Sequence, residues 1–179
     1  RKGGEQNSAA YRTVNPLGLV PALVHEGRTV VQSLAICEYL EECFPTPALL
    51  PADAPGRARV RGLVQTICSE IQPLNNLSVL NFLKTGLGQD DAAVTAWYSR
   101  WIERGFTALE SWFAEAASGR FCHGDQPGLA DCFLVPQLYN AERFSCDLSA
   151  YPRLLHIAEN CRELDAFKAA EPERQPDSQ

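Results

Sequence analysis

The sequence predicts an α+β chain of two domains, a small β-containing N-terminal piece followed by an all-α domain. Two short apolar runs, "LVPALV" and "RTVV", flank the turn "HEG" at the spacing of a β-hairpin. The stretch "PALLPADAP" is rich in proline and marks a connector. Beyond it, apolar residues recur at intervals of three and four, the period of amphipathic helices.

The N-terminal piece is expected to hold the hairpin Leu19–Val24 and Arg28–Val31 and one helix, Ser33–Cys43, which "FPTP" ends. A hairpin and a single helix cannot bury a core of their own. The sequence also begins at Arg1 and contains no Met. We therefore expect this piece to be the second half of a larger domain whose first part precedes Arg1.

The connector sets the expected domain bounds: residues 1–46 for the N-terminal domain, 47–54 for the linker and 55–179 for the helical domain. The first helical stripe is long, and Pro73 is expected to kink its helix. A second long helix and a third from Leu129 follow, and the polar tail "EPERQPDSQ" is expected to be mobile. The first stripe comprises Val60, Leu63, Val64, Ile67, Ile71, Leu74, Leu77, Leu80 and Leu83. Five aromatic residues at helical spacing are expected in the core: Trp97, Trp101, Phe106, Trp112 and Phe113.

Composition argues against several classes of protein. The formal net charge of -6 and the pI near 5.1 argue against a nucleic-acid partner, which needs a basic surface. No apolar run approaches the roughly 20 residues that span a bilayer, so no membrane partner is expected. The seven cysteines are odd in number, scattered and without a C-x-x-C pair. This pattern favours reduced thiols in a cytoplasmic protein over disulfides or a metal site.

The segment "NPLGLVPALVHEGRTVVQSLAICEYLEECFPTPALLP" resembles the glutathione transferase family, and specifically its zeta class of maleylacetoacetate and maleylpyruvate isomerases. The resemblance continues through "IQPLNNLSVL", "GDQPGLADCFLVPQ" and "NAERFSCDLSAYP", and so covers nearly the whole chain. It implies a two-domain glutathione transferase fold with a thioredoxin-like N-terminal domain, glutathione as cofactor, a dicarboxylate substrate and a homodimer. In this family the catalytic hydroxyl or thiol lies in a Ser/Cys-rich motif after the first strand, which we expect before Arg1.

The resemblance implies glutathione contacts at Val20, Pro21, Gln32 and Ser33 and, by position, at Gln6. The family binds the tripeptide by strand addition to the residue before the proline, here Val20, across a cis bond. From the residues alone the alternative is a trans proline on an edge strand. Gln32-Ser33 matches the motif that grips the γ-glutamyl end, and the Ser33 hydroxyl with the free N–H groups of the first helical turn suits a carboxylate. The alternative is that Ser33 only caps its own helix.

In the helical domain Gln72 and Asn76 are four residues apart and are predicted to share one helix face. By resemblance both reach the bound tripeptide, and the alternatives are a solvated edge or a dimer contact. Gln72, Leu77 and Ser78 match the maleylacetoacetate isomerase pattern. Maleylpyruvate isomerases carry His in the place of Gln72 and basic residues after the Asn pair.

Arg143, in "NAERF", is by resemblance the residue that binds a substrate carboxylate, for which arginine offers two parallel hydrogen bonds. The alternative is an ordinary salt bridge with Glu142 or Asp147. Asp131 opens a helix, where its carboxylate can accept backbone N–H groups. The family usually has Ser or Thr three residues earlier, as part of a capping box, and this chain has Gly128 there.

Together these features predict a glutathione-dependent isomerase that converts maleylacetoacetate to fumarylacetoacetate. The enzymatic alternatives are a maleylpyruvate isomerase and a broader transferase or dehalogenase. An alternative from another class is a non-catalytic interaction module with the transferase fold. The last alternative is disfavoured because the chain keeps the family's site residues, Val20-Pro21, Gln32-Ser33 and Arg143.

Overall fold

The computed structural model describes residues 4–115 and 117–176. The chain divides into two compact units, Arg1–Leu49 and Leu50–Gln179. The first unit contains a β-hairpin with short helices. In the described part of the second unit the regular elements are helices, with a single β-bridge between Ser118 and Gly124.

The N-terminal unit consists of a 3₁₀ helix, Glu5–Asn7, helix α1, Ala9–Val14, strands β1, Ala22–His25, and β2, Arg28–Val31, and helix α2, Ser33–Cys43. The strands pair antiparallel, with Ala22 opposite Val31 and His25 opposite Arg28. The two turn residues, Glu26 and Gly27, have φ of 49° and 74°. Two positive φ angles give the turn a twist that matches the strands it joins. The predicted hairpin is confirmed, although β1 begins at Ala22 rather than at Leu19.

Helix α2 is attached to the hairpin through aromatic side chains. The Tyr39 hydroxyl lies 2.8 Å from Nδ1 of His25, and the two rings meet edge to face. Phe44, just after the helix, packs edge-on against the same imidazole at 5.8 Å between ring centroids. Ile36 is buried. These contacts hold the second half of α2 against the end of β1.

The helical unit contains helices α3, Ala54–Glu70, α4, Leu77–Asn81, a π-helical turn, Phe82–Gly86, α5, Asp91–Trp112, α6, Leu129–Arg143, α7, Pro152–Arg162, α8, Asp165–Ala169, and a 3₁₀ helix, Pro172–Arg174. Helix α6 packs against α3 and α7, and α5 packs against the same two helices. No helix in the described part of the chain is long and apolar enough to cross a membrane. The largest fully buried side chains of this core include Ile67, Ile71, Ile102, Phe106, Leu109, Leu134, Leu138 and Leu154.

The first predicted stripe is correct in its first half and only in part beyond it. Val60, Ile67 and Ile71 are buried, but α3 ends at Glu70 and the chain turns through Pro73 instead of continuing as one kinked helix. In the second half of the predicted stripe, Leu77 is therefore 65% exposed, whereas Leu80 is buried. Proline cannot donate the N–H that a continuing helix needs, and it disfavours the helical conformation of the residue before it.

The aromatic prediction for α5 is also correct only in part. Phe106 and Phe113 are buried, as expected, whereas Trp112 is 39% exposed. Trp97 and Trp101 are half-buried and pack edge to face at 5.6 Å. The Trp97 indole N–H donates to the carbonyl of Leu74, so it holds the turn after α3 against α5.

The start of α6 is fixed by the carboxylate of Asp131, which is 1% exposed. Its Oδ2 accepts the N–H of Gly128 at 2.7 Å, and its Oδ1 accepts the N–H of Cys122 at 2.9 Å. A capping box also needs an N-cap side chain that accepts the N–H of the third helical residue, and Gly128 has none. Only the bond from the Gly128 N–H to the Asp131 carboxylate is therefore present. Burial raises the pKa of the Cys122 and Cys161 thiols, and the Asp131 charge raises both further. One carboxylate thus joins the helix start to the preceding loop.

Replacing Asp131 by Ala is expected to destabilise the protein by about 3 kcal/mol, because two backbone N–H groups lose their charged acceptor in a buried place. Asp90→Ala is the matched control. Asp90 caps α5 through the N–H of Ala93 but is exposed, so its loss should cost about 1 kcal/mol. Chemical denaturation measures both values. Equal losses of stability in the two variants would show that burial of the Asp131 carboxylate adds nothing to its capping effect.

Gly128→Ser is expected to stabilise the protein by a few tenths of a kcal/mol, since a serine hydroxyl would supply the missing cap acceptor. The backbone allows it, because Gly128 has an extended conformation with φ of -140° that any residue adopts. Thermal unfolding of the variant beside wild type measures the change. A clear loss of stability would mean that the surroundings of Gly128 do not admit a side chain, whatever the capping bond contributes.

Candidate functional site

The loop before β1 is held by hydrogen bonds that end at Leu19. The carbonyl of Leu19 accepts the Tyr11 hydroxyl at 2.8 Å and the Nδ2 group of Asn15 at 2.7 Å. Asn15 is buried, and its Oδ1 also accepts the N–H of Leu17. This loop therefore presents the next residue, Val20, in a defined position.

Val20 is 68% exposed and the Val20–Pro21 peptide bond is cis, as the resemblance implied. The strand ladder begins two residues later, where Ala22 pairs with Val31. Among the described residues of the N-terminal unit, none hydrogen-bonds to the N–H or the carbonyl of Val20. An extended peptide can use such a pair of backbone groups as an added strand does.

Gln32 and Ser33 form the junction between β2 and α2. Gln32 is the N-cap and has φ of 74° and ψ of 124°, a strained conformation for a residue with a side chain. Its carbonyl accepts the N–H of Ile36, while its side chain makes no capping bond. Ser33 is the first helical residue, so the alternative in which Ser33 caps its own helix is wrong. The N–H groups of the first turn are thus available to an anion, as at other helix starts.

The register of the hairpin brings these two features together. Since Ala22 lies opposite Val31, the residues just before β1 and just after β2 lie at the same end of the hairpin. Val20 is therefore close to Gln32 and Ser33, although they are more than ten residues away in sequence. One end of the hairpin carries both the unpaired backbone groups and the helix start.

Gln6 lies in the first 3₁₀ helix and is half-buried. Its carbonyl oxygen lies 3.1 Å from the place where a Cβ on Gly18 would stand, and Gly18 has φ of 66°. A side chain at position 18 would therefore crowd Gln6 and strain the backbone. Gln6 adjoins the loop that leads to Val20, and its predicted contact with glutathione stays a prediction.

The structure does not place Gln72 and Asn76 on one helix face, so that prediction is wrong. Gln72 lies in the turn after α3, and Asn76 is the N-cap of α4. The Oδ1 atom of Asn76 accepts both the N–H and the hydroxyl of Ser78, at 2.9 and 2.8 Å. Asn76 thus has a structural role that its spacing from Gln72 did not indicate.

Arg143, the last residue of α6, lines a pocket of about 760 Å³ within the helical unit. Its lining includes Pro136 and Tyr139 of α6, Phe167 of α8, and Pro172 and Glu173 of the last 3₁₀ helix. The Arg143 guanidinium lies 5.8 Å from the centroid of the Tyr139 ring, within reach of a cation–π contact.

The charges around this pocket leave the Arg143 guanidinium without an ion pair among the described residues. Glu142, an alternative partner suggested by the sequence, pairs instead with Arg162 at 3.0 Å. Asp147, the other alternative, accepts the N–H of Ser149 at 2.9 Å. An exposed guanidinium at the edge of a pocket can bind a carboxylate with two hydrogen bonds.

Sequence reasoning missed Tyr139 and Glu173. The Tyr139 hydroxyl donates to Oε1 of Glu173 at 2.6 Å, and this bond holds the pKa of the Glu173 carboxyl below its usual value. Tyr139 lies four residues before Arg143, the spacing at which helical side chains meet, and that spacing could have indicated it. Glu173 lies in the tail that the sequence predicted to be mobile, whereas the structure gives this segment a 3₁₀ helix.

Comparisons with known proteins show which family the chain is similar to. Residues 1–43 match the family model for the glutathione S-transferase N-terminal domain, and residues 95–156 match the one for its C-terminal domain. Maleylacetoacetate isomerase of Pseudomonas aeruginosa is 46% identical over 99% of this chain and 82% of that protein.

Two solved structures are similar along the whole chain. A holo maleyl pyruvate isomerase, described as a bacterial glutathione S-transferase of the zeta class, has a TM-score of 0.95 and 48% identity over 98% of this chain and 83% of its own. A maleylacetoacetate isomerase from Methylobacterium extorquens AM1 with bound malonate and glutathione (GSH) has a TM-score of 0.92 and 34% identity over 99% of this chain and 84% of its own.

The sequence identities and the shares of the chain that these relatives cover show both the family and the fold. The two units are the thioredoxin-like N-terminal domain and the all-α C-terminal domain of the glutathione transferase fold. With this fold, and with relatives of that class along nearly its full length, the chain belongs to the zeta class of the glutathione S-transferase family.

Proposed function

We propose that this protein is a glutathione-dependent cis–trans isomerase of a maleyl dicarboxylate, and that its substrate is maleylacetoacetate, which it converts to fumarylacetoacetate. The observation that carries the proposal is Arg143, a guanidinium without an ion pair among the described residues, at the edge of a pocket in the helical unit. In the same proposal the protein works in the cytoplasm as a homodimer.

The residues at the end of the hairpin fit glutathione. The tripeptide has an extended backbone with amide groups that can pair with the N–H and carbonyl of Val20. Its γ-glutamyl carboxylate suits the helix start at Ser33, where N–H groups and a hydroxyl converge. Gln32 is held by its strained backbone with its side chain exposed beside that helix start. These contacts would orient the tripeptide while leaving its thiol outside the sheet.

Bound glutathione supplies the thiol, whose reversible addition to the conjugated double bond allows rotation about that bond. Arg143 holds one carboxylate of the substrate, and this contact fixes which half of the molecule stays in place while the other half turns. The same arginine contact can hold the substrate and the product, because the isomers carry the same carboxylates. Glutathione is returned unchanged and so acts as a cofactor.

The choice of maleylacetoacetate rests on Gln72, Leu77 and Ser78, which match the pattern of maleylacetoacetate isomerases. Maleylpyruvate is the second candidate, favoured by the similarity to a holo maleyl pyruvate isomerase at a TM-score of 0.95. Both substrates present a carboxylate and a cis double bond conjugated to a carbonyl. The two candidate substrates therefore differ only in the part of the molecule beyond this carboxylate and conjugated double bond.

The full-length protein is expected to isomerise maleylacetoacetate with a kcat/KM at least tenfold above that for maleylpyruvate, and only when glutathione is present. Spectrophotometric assays with both substrates, with and without glutathione, measure this. The reverse preference would make maleylpyruvate the substrate. Isomerisation at the same rate without glutathione would contradict the proposed mechanism.

Arg143→Ala is expected to lower kcat/KM for the isomerisation at least tenfold, about 1.4 kcal/mol or more, because the substrate loses its charged anchor. Glutathione affinity, measured by calorimetry, should barely change. Arg153→Ala is the control, since Arg153 pairs with Glu110 and does not line the pocket. Equal losses for the two variants, or no loss for either, would make Arg143 a structural residue.

Ser33→Ala is expected to weaken glutathione binding about tenfold, because a hydroxyl that contacts a charged carboxylate is lost. Stability should change by less than about 0.5 kcal/mol, since no described residue of the N-terminal unit hydrogen-bonds to this hydroxyl. Ser99→Ala, which removes an equally half-buried helical hydroxyl near Cys146, should leave glutathione affinity unchanged. Unaltered glutathione affinity in Ser33→Ala would remove Ser33 from the site.

A further inference from the structure

The guanidinium of Arg143 lies over an aromatic ring of its own helix. Arg143 is the last residue of α6 and is exposed. A long side chain in that place has many rotamers, and a ligand that binds it must restrict them. The Cζ atom of Arg143 lies 5.8 Å from the centroid of the Tyr139 ring, and a cation within about 6 Å of an aromatic face is attracted to it. Tyr139 therefore restricts where the guanidinium stands before any ligand arrives.

A ring contact positions a guanidinium without occupying its hydrogen-bond donors. The five N–H donors of arginine lie in the plane of the guanidinium, and an ion pair would commit some of them to a carboxylate of the protein. Arg162, which lines the same pocket, is committed in this way, since its Nη2 atom donates to both carboxylate oxygens of Glu142, at 3.0 and 3.2 Å. The contact between Arg143 and Tyr139 needs no acceptor atom, so it leaves N–H groups of Arg143 available to a ligand carboxylate.

The Tyr139 ring is itself held at both ends. Tyr139 is half-buried on α6, four residues before Arg143, the spacing at which helical side chains meet. At the far end of the ring, the hydroxyl donates to Oε1 of Glu173 at 2.6 Å. Glu173 lies in the 3₁₀ helix Pro172–Arg174, and both Tyr139 and Glu173 line the pocket. The ring thus has one fixed point on α6 and a second on this 3₁₀ helix.

The segment that accepts the Tyr139 hydroxyl has hydrogen bonds of its own. Gln175 donates from Nε2 to the carbonyl of Ala169, the last residue of α8, and to that of Glu171, at 2.9 and 3.0 Å. Nε of Arg174 donates to Oε2 of Glu171 at 2.7 Å. These bonds tie the segment to the end of α8, so the Tyr139 hydroxyl has its acceptor in an ordered part of the helical unit.

We propose that Tyr139 is a positioning residue for Arg143, whose ring holds the guanidinium at the edge of the pocket with N–H donors free and so raises the affinity for dicarboxylates. This inference rests on the proposed function, because it needs Arg143 to bind a substrate carboxylate. The substrate and the product carry the same carboxylate, so the ring strengthens the binding of both. Loss of the ring should therefore raise KM rather than lower kcat.

Calorimetric titration of the full-length protein with malonate, a small dicarboxylate, in the presence of glutathione tests the inference. Tyr139→Leu removes the aromatic face and should bind malonate about two- to fivefold more weakly than wild type, the range expected for a cation–π contact at an exposed site. Tyr139→Phe keeps the ring and removes only the hydroxyl. It should therefore bind malonate within about twofold of wild type.

Trp101→Leu is the matched control outside the pocket. The Arg104 guanidinium lies over the Trp101 ring, with Cζ 5.5 Å from the ring centroid, and both residues belong to α5. Neither of them lines the pocket of Arg143. Loss of this second arginine–aromatic contact should leave the affinity for malonate at the wild-type value.

Isomerase kinetics separate positioning from a general structural effect. With the maleyl substrate that the enzyme prefers, Tyr139→Leu should raise KM by the same factor while kcat stays near its wild-type value, and Tyr139→Phe should restore wild-type kinetics. When Arg143 is already Ala, Tyr139→Leu should cause no further loss of kcat/KM, because the ring acts through a guanidinium that is then absent. A structural defect would instead add its loss to that of Arg143→Ala.

The outcomes separate this inference from the proposed function. If Arg143→Ala abolishes malonate binding while Tyr139→Leu binds malonate as wild type does, the positioning role is refuted and the role of Arg143 stands. Equal losses in Tyr139→Phe and Tyr139→Leu would also refute it, because the hydroxyl rather than the ring would then matter. So would a further loss from Tyr139→Leu in the Arg143→Ala variant. If Arg143→Ala binds malonate as tightly as wild type, Arg143 is not the dicarboxylate site and both proposals fail.

Discussion

A backbone N–H or carbonyl that has no partner within the protein must bind water or a ligand, and the proposed glutathione site depends on this requirement. The carbonyl of Leu19 accepts two side-chain donors, whereas no described residue of the N-terminal unit pairs with the backbone of Val20. The register of the hairpin then places the free helix start at Ser33 beside Val20. The backbone carbonyl of Leu19 thus has its hydrogen-bond partners within the fold. The backbone groups of Val20 and the first-turn N–H groups of α2 are left for a peptide ligand.

In the helical unit, one buried carboxylate supports the polar residues of the pocket. Asp131 fixes the first turn of α6, and Arg143 is the last residue of the same helix. Tyr139 and Arg143 lie further along this helix, beyond Pro136, so the capped start is one of the contacts that position them on the pocket wall. The chemistry proposed for the exposed end of α6 therefore relies on hydrogen bonds made at its buried start, and Arg143 itself remains solvated and accessible.

Local signals predicted the parts of the fold that depend on neighbouring residues. The hairpin, the start of α2 at Ser33 and the start of α6 at Leu129 follow from turn residues and apolar periodicity, and the resemblance correctly implied the family and the cis bond before Pro21. The period of the stripe misplaces Gln72 and Asn76, because α3 ends before Pro73 and Asn76 begins the next helix, a position that Asn favours. Glu173 could not be predicted, because its partner Tyr139 is 34 residues away and no periodic pattern joins them.

Amide hydrogen exchange of the full-length protein, with and without glutathione, tests the central claim most directly, because that claim concerns individual backbone groups. Glutathione should slow exchange at the N–H of Val20 and at the first-turn N–H groups of α2, while Leu23 and Val30 in the strand ladder change little. Slowed exchange at these groups would support strand addition at Val20 together with anion binding at the helix start. Glutathione bound with no change at either place would contradict the account.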